Sequence, residues 1–390
     1  ENDRWWGKGF TEWTNMKSAQ PLFEGHNQPR VPLDNNYYDL SDIATLKWQC
    51  ELARKYGIYG FCMYHYWFSG KTLLEKPMEM LLAHPEIDIH YCISWANGEW
   101  RDTWKHKDTK QSKILIFDNY DDEQLWVDHF NYMLPFFKDK RYMREDDKPI
   151  LVIYAPHLIP KLNKMLDLWD TMAKENGLSG LIYIYQSAAS SLDRSWDRSR
   201  FTYGVEMNPG YAHVVGTSNH NQYKLRLIKI VNHLKRKLNI KRSLHISRSV
   251  SQIKHVDYDQ VWQKILSLRP KGSQKTIPCA FTDWDNSPRF GKNGIVYDGV
   301  TTQKFYHYFA LLCQNAKKYY KSDKVFVFAW NEWAEGGYLE PDQLYGCLLY
   351  KFDAADDLTR VYLGVRLNLH NNSTQRLAIK SPSSPTCQGN

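Results

Sequence analysis

The sequence predicts an α/β fold, a (β/α)8 TIM-type barrel, and three observations predict it. Seven short β-prone runs recur along the chain, amphipathic stretches of helical length separate them, and polar and aromatic residues gather just beyond the C-terminal ends of the runs. The runs cover residues 58–64, 89–95, 149–154, 181–185, 201–206, 277–281 and 325–330. They are rich in Val, Ile, Phe and Tyr and mostly do not alternate, which suits parallel strands buried on both faces.

Helical patterns occupy residues 41–56, 72–83, 158–175, 258–268 and 301–319. The first has Ser41 as an expected N-cap and Gly57 just past its end. Alternating strands and helices fit either a doubly wound sheet or a barrel. A doubly wound nucleotide binder needs a glycine-rich turn after its first strand, and neither GxGxxG nor GxxxxGK[ST] occurs here. The strand tips instead carry His65, Tyr66 and Trp67, then Trp95, Asn97 and Glu99, then Trp284, Asp285 and Asn286, and finally Asn331, Glu332 and Glu335, which marks the catalytic face of a barrel.

Only seven strands are counted, and the opening Trp5 to Trp13 reads as a loop. The expectation is an N-terminally truncated barrel lacking its first strand. It occupies residues 1–350, followed by a C-terminal extension at 351–367 and a disordered polar tail at 368–390, where Asn371 and Asn372 head N-x-[ST] sequons.

Composition narrows the class. Of 390 residues 43% are hydrophobic and 24% charged, and no apolar run approaches the roughly 18 to 20 residues that span a bilayer. Seven cysteines without a CxxC pair make a disulfide framework or zinc knuckle an unsuitable reading. A cytoplasmic protein is expected, although no signal peptide decides the compartment because the chain is also expected to be truncated at its N-terminus. Aromatic residues reach 15%, as in proteins that bind ring-shaped ligands.

The net charge of +8 is uneven, because residues 207–256 contain no Asp or Glu while Lys and Arg recur from Lys224 to Lys254. A helix at 223–238 would place Leu225, Leu227, Ile228, Val231 and Leu234 on one face. Its charge is either a solvated helix surface or an attraction, across residues 224–254, for an acidic glycan, a diphosphate-linked sugar or an anionic membrane surface. No nucleic-acid-binding motif accompanies it.

The chemistry concentrates in Trp330-Asn331-Glu332-Trp333-Ala334-Glu335-Gly336-Gly337. Two carboxylates three residues apart at a strand tip suit glycosidic cleavage: one protonates the departing oxygen, the other assists from the sugar side, and their mutual repulsion keeps one protonated. Trp330 and Trp333 offer indole faces to a sugar ring. His65, Tyr66 and Trp67 either bind sugar or belong to the core. Asp283-Trp284-Asp285 has the D-x-D form some transferases use for a metal, but such triplets arise by chance, as Asp257-Tyr258-Asp259 does; no cofactor or metal is expected, and His84 and His90 match no zinc spacing.

Taken together, Trp5 to Trp13, Gly60 to Phe68 with Leu74-Glu75-Lys76-Pro77, Trp95-Ala96-Asn97, Leu134-Pro135-Phe136-Phe137, Asp285-Asn286-Ser287-Pro288-Arg289 and Asn331 to Gly336 resemble the WbsX-like family, also called glycoside hydrolase family 99-like. The resemblance implies a (β/α)8 barrel, O-antigen or other surface-polysaccharide biosynthesis, and a glycosyltransferase label. It also implies kinship with family 99 endo-mannosidases, in which one glutamate takes the proton of the sugar 2-hydroxyl and a second serves as acid, then base. Carried over, Glu332 is the 2-hydroxyl base and Glu335 the acid/base. Glu12, Trp13, His65, Tyr66, Trp67, Trp95, Asn97, Glu99, Trp284, Asp285, Arg289, Asn331 and Trp333 become candidate substrate contacts. One departure stands out: the family pattern Trp-Ala-Asn-Glu-Asn-Trp reads Asn97-Gly98-Glu99-Trp100 here, displacing the acid by one position. The alternatives to a cleaving enzyme are a glycosyltransferase and a catalytically silent glycan-binding barrel.

Overall fold

The computed structural model describes residues 5–102, 113–187, 196–215, 253–270 and 272–346. The apolar runs become parallel strands: β1 Gly60–Phe68, β2 His90–Trp95, β3 Lys148–Ile153, β4 Ile182–Ser187, β5 Tyr203–Glu206, β6 Lys275–Ile277, β7 Cys279–Phe281 and β8 Phe326–Phe328. Strands β1 to β6 pair in sequence order, and β7 pairs with β8. Pro278 separates β6 from β7. Having no N–H for the ladder, it splits one apolar run into two short strands with different neighbours. Strands β2, β3 and β4 are buried almost end to end, as strands covered on both faces must be.

Helices alternate with these strands: α1 Glu12–Ser18, α2 Ile43–Lys55, α3 Lys76–Ala83, α4 Glu123–Lys138, α5 Leu162–Glu175, α6 Tyr258–Ser267 and α7 Thr302–Asn315. Several details differ from the sequence expectation. The cap of α2 is Asp42, whose carboxylate accepts from the Ala44 N–H, while Ser41 turns back to Asp39. The pattern at 72–83 divides in two: Lys71–Leu73 pairs antiparallel with β1 and covers part of its outer edge, and the helix starts at Lys76, where Pro77 fits the first turn. Helix α4 was not expected; Pro135 interrupts its pattern near the end, but the Asp122 cap and an apolar face of Trp126, Phe130, Met133 and Phe137 hold it. The opening segment, expected as loop, contains α1, started by a Thr11/Thr14 capping box.

The two ends of the parallel array meet through side chains, with the rings of Phe61 on β1 and Trp330 beyond β8 centred 5.2 Å apart. No backbone pairing joins β1 to β8 among the described residues. The described residues thus form an α/β parallel array whose ends touch without a closing ladder, and it has eight parallel strands where the expected barrel lacking its first strand counted seven. The basic helix at 223–238, the extension 351–367 and the tail 368–390 lie outside the described residues. Among the described residues no helix is long and apolar enough to cross a membrane.

Candidate active site

Beyond β8 the chain folds back as a small hairpin, Asn331–Glu332 against Gly337–Tyr338, enclosing a 3-10 turn at Trp333–Glu335. A 3-10 turn repeats about every three residues, so side chains three apart eclipse one another. Glu332 and Glu335 are thereby brought to one side. The double glycine that follows has a steric cause. A Cβ on Gly336, whose φ is +73°, would lie 2.8 Å from the Asp285 nitrogen, and one on Gly337 would lie 2.6 Å from the Phe328 ring.

Arg289, on the short helix Ser287–Phe290, joins the two acids. Its Nη2 donates to Glu332 Oε1 and its Nη1 to Glu335 Oε1, both at 2.7 Å. Spanning one guanidinium, the two acceptor oxygens are within about 8 Å of each other. A third carboxylate comes from α1: Glu12 Oε2 accepts from Arg289 Nε at 3.0 Å and lies 2.9 Å from Nη2. Burial works against the Arg289 charge, yet the three glutamates hold its pKa well above the usual value. Burial raises the Glu335 pKa to about 7; the Glu332 and Glu12 charges push the same way and Arg289 opposes them. Glu12 is likewise raised, first by burial. One of the clustered acids is thus poised to hold a proton near neutrality.

Tyrosines stand beside the acids. Tyr64 and Tyr66, two apart on β1, point to the same side, and burial together with the Glu332 charge pushes both phenols up. Tyr154, just past β3, is raised by burial and by Glu335. Tyr64 as a whole remains 38% exposed. The Trp100 ring meets Tyr66, Phe68 and Trp5 edge-on, and half-buried Trp284 lies against Phe328. Tyr64, Tyr154 and Trp100 were not singled out from the sequence, although alternation along β1 pairs Tyr64 with Tyr66 and separates both from His65 and Trp67.

Other candidates are turned away from the acids or held in packing. His65 and Trp67 face the opposite side of β1, where His65 Nε2 lies 2.9 Å from His129 Nε2 and Trp67 stacks on His129 at 4.7 Å. Burial alone lowers the His65 pKa to about 3. Trp95 is buried against His129 and Trp169. Asn97 links the ends of β2 and β3, donating to the Ala155 carbonyl at 2.8 Å and accepting the Ala155 N–H at 2.7 Å. Glu99 is exposed and paired with Arg101.

Asp285 is fully enclosed. It accepts from Gln28 at 2.7 Å and from the Ser287 N–H at 3.0 Å, and it contacts His26 at 3.0 Å. Asp283 turns to Arg30 at 2.7 Å. Burial disfavours the Asp285 charge, but His26 and Arg30 together with these hydrogen bonds hold its pKa down at about 2. Both acids of the D-x-D triplet are therefore engaged with Arg30 and its neighbours.

The expected indole platforms are also engaged in packing. Trp330 is 8% exposed and Trp333 4%. Trp333 stacks on Tyr338 at 3.8 Å, contacts Trp13 and donates to Glu340 at 2.7 Å. Trp13 in turn donates to the Tyr38 carbonyl at 2.9 Å, and half-buried Asn331 bonds the Tyr38 hydroxyl. An aromatic ring fills its neighbour's face as well as a sugar does, and sequence spacing cannot tell the two apart.

Comparison with known proteins adds the following. The family described as Glycosyltransferase WbsX matches residues 1–351. The protein described as uncharacterized protein WxcX, from two strains of Xanthomonas campestris pv. campestris, is 32% identical over 353 residues, covering 89% of this chain and 46% of that protein. The chain thus spans about half the length of the curated relatives it matches. Among solved structures, the GH99 endo-α-mannosidase from Bacteroides thetaiotaomicron is 12% identical with a TM-score of 0.47, covering 84% of this chain and 82% of that one. A structure described as a glycoside hydrolase-like protein is also 12% identical, with a TM-score of 0.48 and coverage of 88% and 98%.

Proposed function

Because the chain belongs to the WbsX glycosyltransferase family, a family of carbohydrate-active proteins, we propose that it breaks or transfers a glycosidic bond in a polysaccharide or oligosaccharide with Glu332 and Glu335. The observation that carries this reading is the Arg289 bridge between two acids, one of them with its pKa raised to about 7, with Tyr64, Tyr66 and Tyr154 beside them. The parallel array serves as the wall of a (β/α) barrel, with the acids at the C-terminal ends of its strands.

Glu335, protonated, gives its proton to the leaving oxygen as the bond to the anomeric carbon breaks. Glu332, ionised, takes the proton of the sugar 2-hydroxyl, whose oxygen bonds to the anomeric carbon and closes a 1,2-anhydro ring. An incoming hydroxyl then loses its proton to Glu335 and opens that ring, while Glu332 returns its proton to the 2-oxygen. With water as the incoming group the result is hydrolysis. A sugar hydroxyl gives transfer, in which case an activated donor supplies the leaving group, and the basic residues 224–254 suit a diphosphate-linked one.

The test is an oligosaccharide panel assayed with and without activated sugar donors, using the parent chain, Glu332→Gln and Glu335→Gln. Turnover lost in both variants with an unchanged near-UV spectrum supports the assignment; unaltered turnover in either one overturns it. Donor dependence separates transferase from hydrolase. Retained glycan affinity without turnover across the panel identifies a binding barrel.

A further inference from the structure

The cation of the site has more acid to satisfy than a two-carboxylate reaction needs. Glu12 uses a single oxygen to engage the Nε and Nη2 side of Arg289, leaving Nη1 to Glu335 and the rest of Nη2 to Glu332. Its other oxygen is held by Asn15 Nδ2 at 3.3 Å. Helix α1 cannot drift from the catalytic turn, because Trp13 and Met16 pack with Trp333, Ala334 and Tyr338. Glu12 is therefore mounted on the same small core as Glu335, opposite it across the guanidinium.

We propose that Glu12 is a positioning residue that holds Arg289 side-on, dividing its positive charge so that Glu335 keeps the proton it must donate. The proposal rests on the reading of Glu335 as the proton donor. A guanidinium donates most strongly through paired N–H groups in a fixed plane, and Glu12 occupies one such edge. Without it, the Nε and Nη2 edge loses the Glu12 carboxylate, while Nη1 and Nη2 keep their bonds to Glu335 and Glu332.

The groups facing Glu335 are Glu332 on its own hairpin, Arg289 on the short helix, Glu12 on α1, Tyr154 beyond β3 and Tyr66 on β1. Removing the Glu12 charge takes away a repulsion that favours the protonated form and frees Arg289 to favour the ionised one. Both effects act in the same direction, lowering the Glu335 midpoint.

The experiment follows the Glu335 carboxyl itself. The full chain is labelled with 13C at the glutamate δ-carbon, the Glu335 signal is assigned by its disappearance in Glu335→Gln, and its titration is recorded. Glu12→Gln is expected to lower the midpoint by about one pH unit. Glu12→Asp, which keeps the charge but withdraws it by one methylene, is expected to lower it by roughly half as much, and it decides alone if near-UV dichroism shows that the first variant does not fold. A midpoint that stays in place or rises overturns the proposal, since a merely structural or substrate-binding Glu12 leaves that titration unmoved. The measurement needs no turnover, so failure of the glycosidic reading in the substrate panel is recorded separately. Where turnover is found, the alkaline limb of kcat/KM moves down with the midpoint.

Discussion

The backbone N–H of Asp285 donates to the Glu335 carbonyl oxygen over 2.8 Å, tying the loop beyond β7 to the Trp333–Glu335 turn beyond β8. The same residue holds the Ser287 N–H at the start of the helix that carries Arg289, so one buried acid sets the positions of both a carboxylate and its cation. Its pKa lies below the ordinary 3.8, at about 2, which means the folded state favours the ionised form. That stabilisation is complete above pH 3.8 and is lost as pH falls through about 2, amounting to roughly 2 kcal/mol at neutrality. Asp285→Asn is expected to lose about this much in urea unfolding at pH 7, with the gap to the parent narrowing toward pH 2, and to lose turnover without a new substrate contact being removed.

Glu335 predicts the pH dependence of turnover. Its folded pKa is raised, so the protonated form is favoured, and the donor proton departs as pH rises through about 7. The alkaline limb of kcat/KM is expected near pH 7, and Glu335→Gln should leave a flat profile about 10² to 10⁴ times lower. A limb several units higher in steady-state kinetics would assign the donor to another group.

Neighbours on β1 make a paired test. Tyr66 faces Glu332 and Glu335 and His65 faces the His129 side, although they adjoin in sequence. Tyr66→Phe is expected to raise KM by roughly five- to tenfold, the worth of about one hydrogen bond, with little change in thermal midpoint. His65→Ala is expected to leave KM within about twofold and cost roughly 2 kcal/mol in denaturant unfolding, because it empties a packed site.

Glu340 tests the packing beneath the turn. Its carboxyl accepts from the Tyr38 hydroxyl and Gln49 at 2.6 Å and from the Trp333 indole at 2.7 Å, and burial raises its pKa to about 7. Glu340→Gln sets an amide against these donors and is expected to cost about 1 to 3 kcal/mol by calorimetry or urea unfolding. Trp333→Phe keeps the ring but not the N–H, and should cost less.

Much of the fold is legible in the chain. Each parallel strand falls within or beside an apolar run, because a strand covered on both faces must be apolar throughout. The Asn331 to Gly337 segment announces itself by composition, and the eclipsing of Glu332 and Glu335 follows from their spacing of three. Less legible are the helices: α4 contains a proline, α1 is short, and capping by Asp42 instead of Ser41 is settled by local geometry that either residue satisfies on paper. The fate of the aromatic residues was the least legible, since Trp95, Trp330, Trp333 and Trp67 carry the same signal whether they stack on a sugar or on one another.

By itself the sequence determined the α/β alternation, through its apolar periodicity, and the family, through motifs spread from Trp5 to Gly336, and it set Glu332 and Glu335 three residues apart. Only the tertiary structure decided that Glu12, Glu332 and Glu335 share the Arg289 guanidinium, that Tyr64 and Tyr66 face Glu332 while His65 does not, and that Asp285 acts as a strut. Those relations depend on which distant segments the packed strands bring within hydrogen-bond reach, and burial then sets which carboxyl keeps its proton and which gives it up.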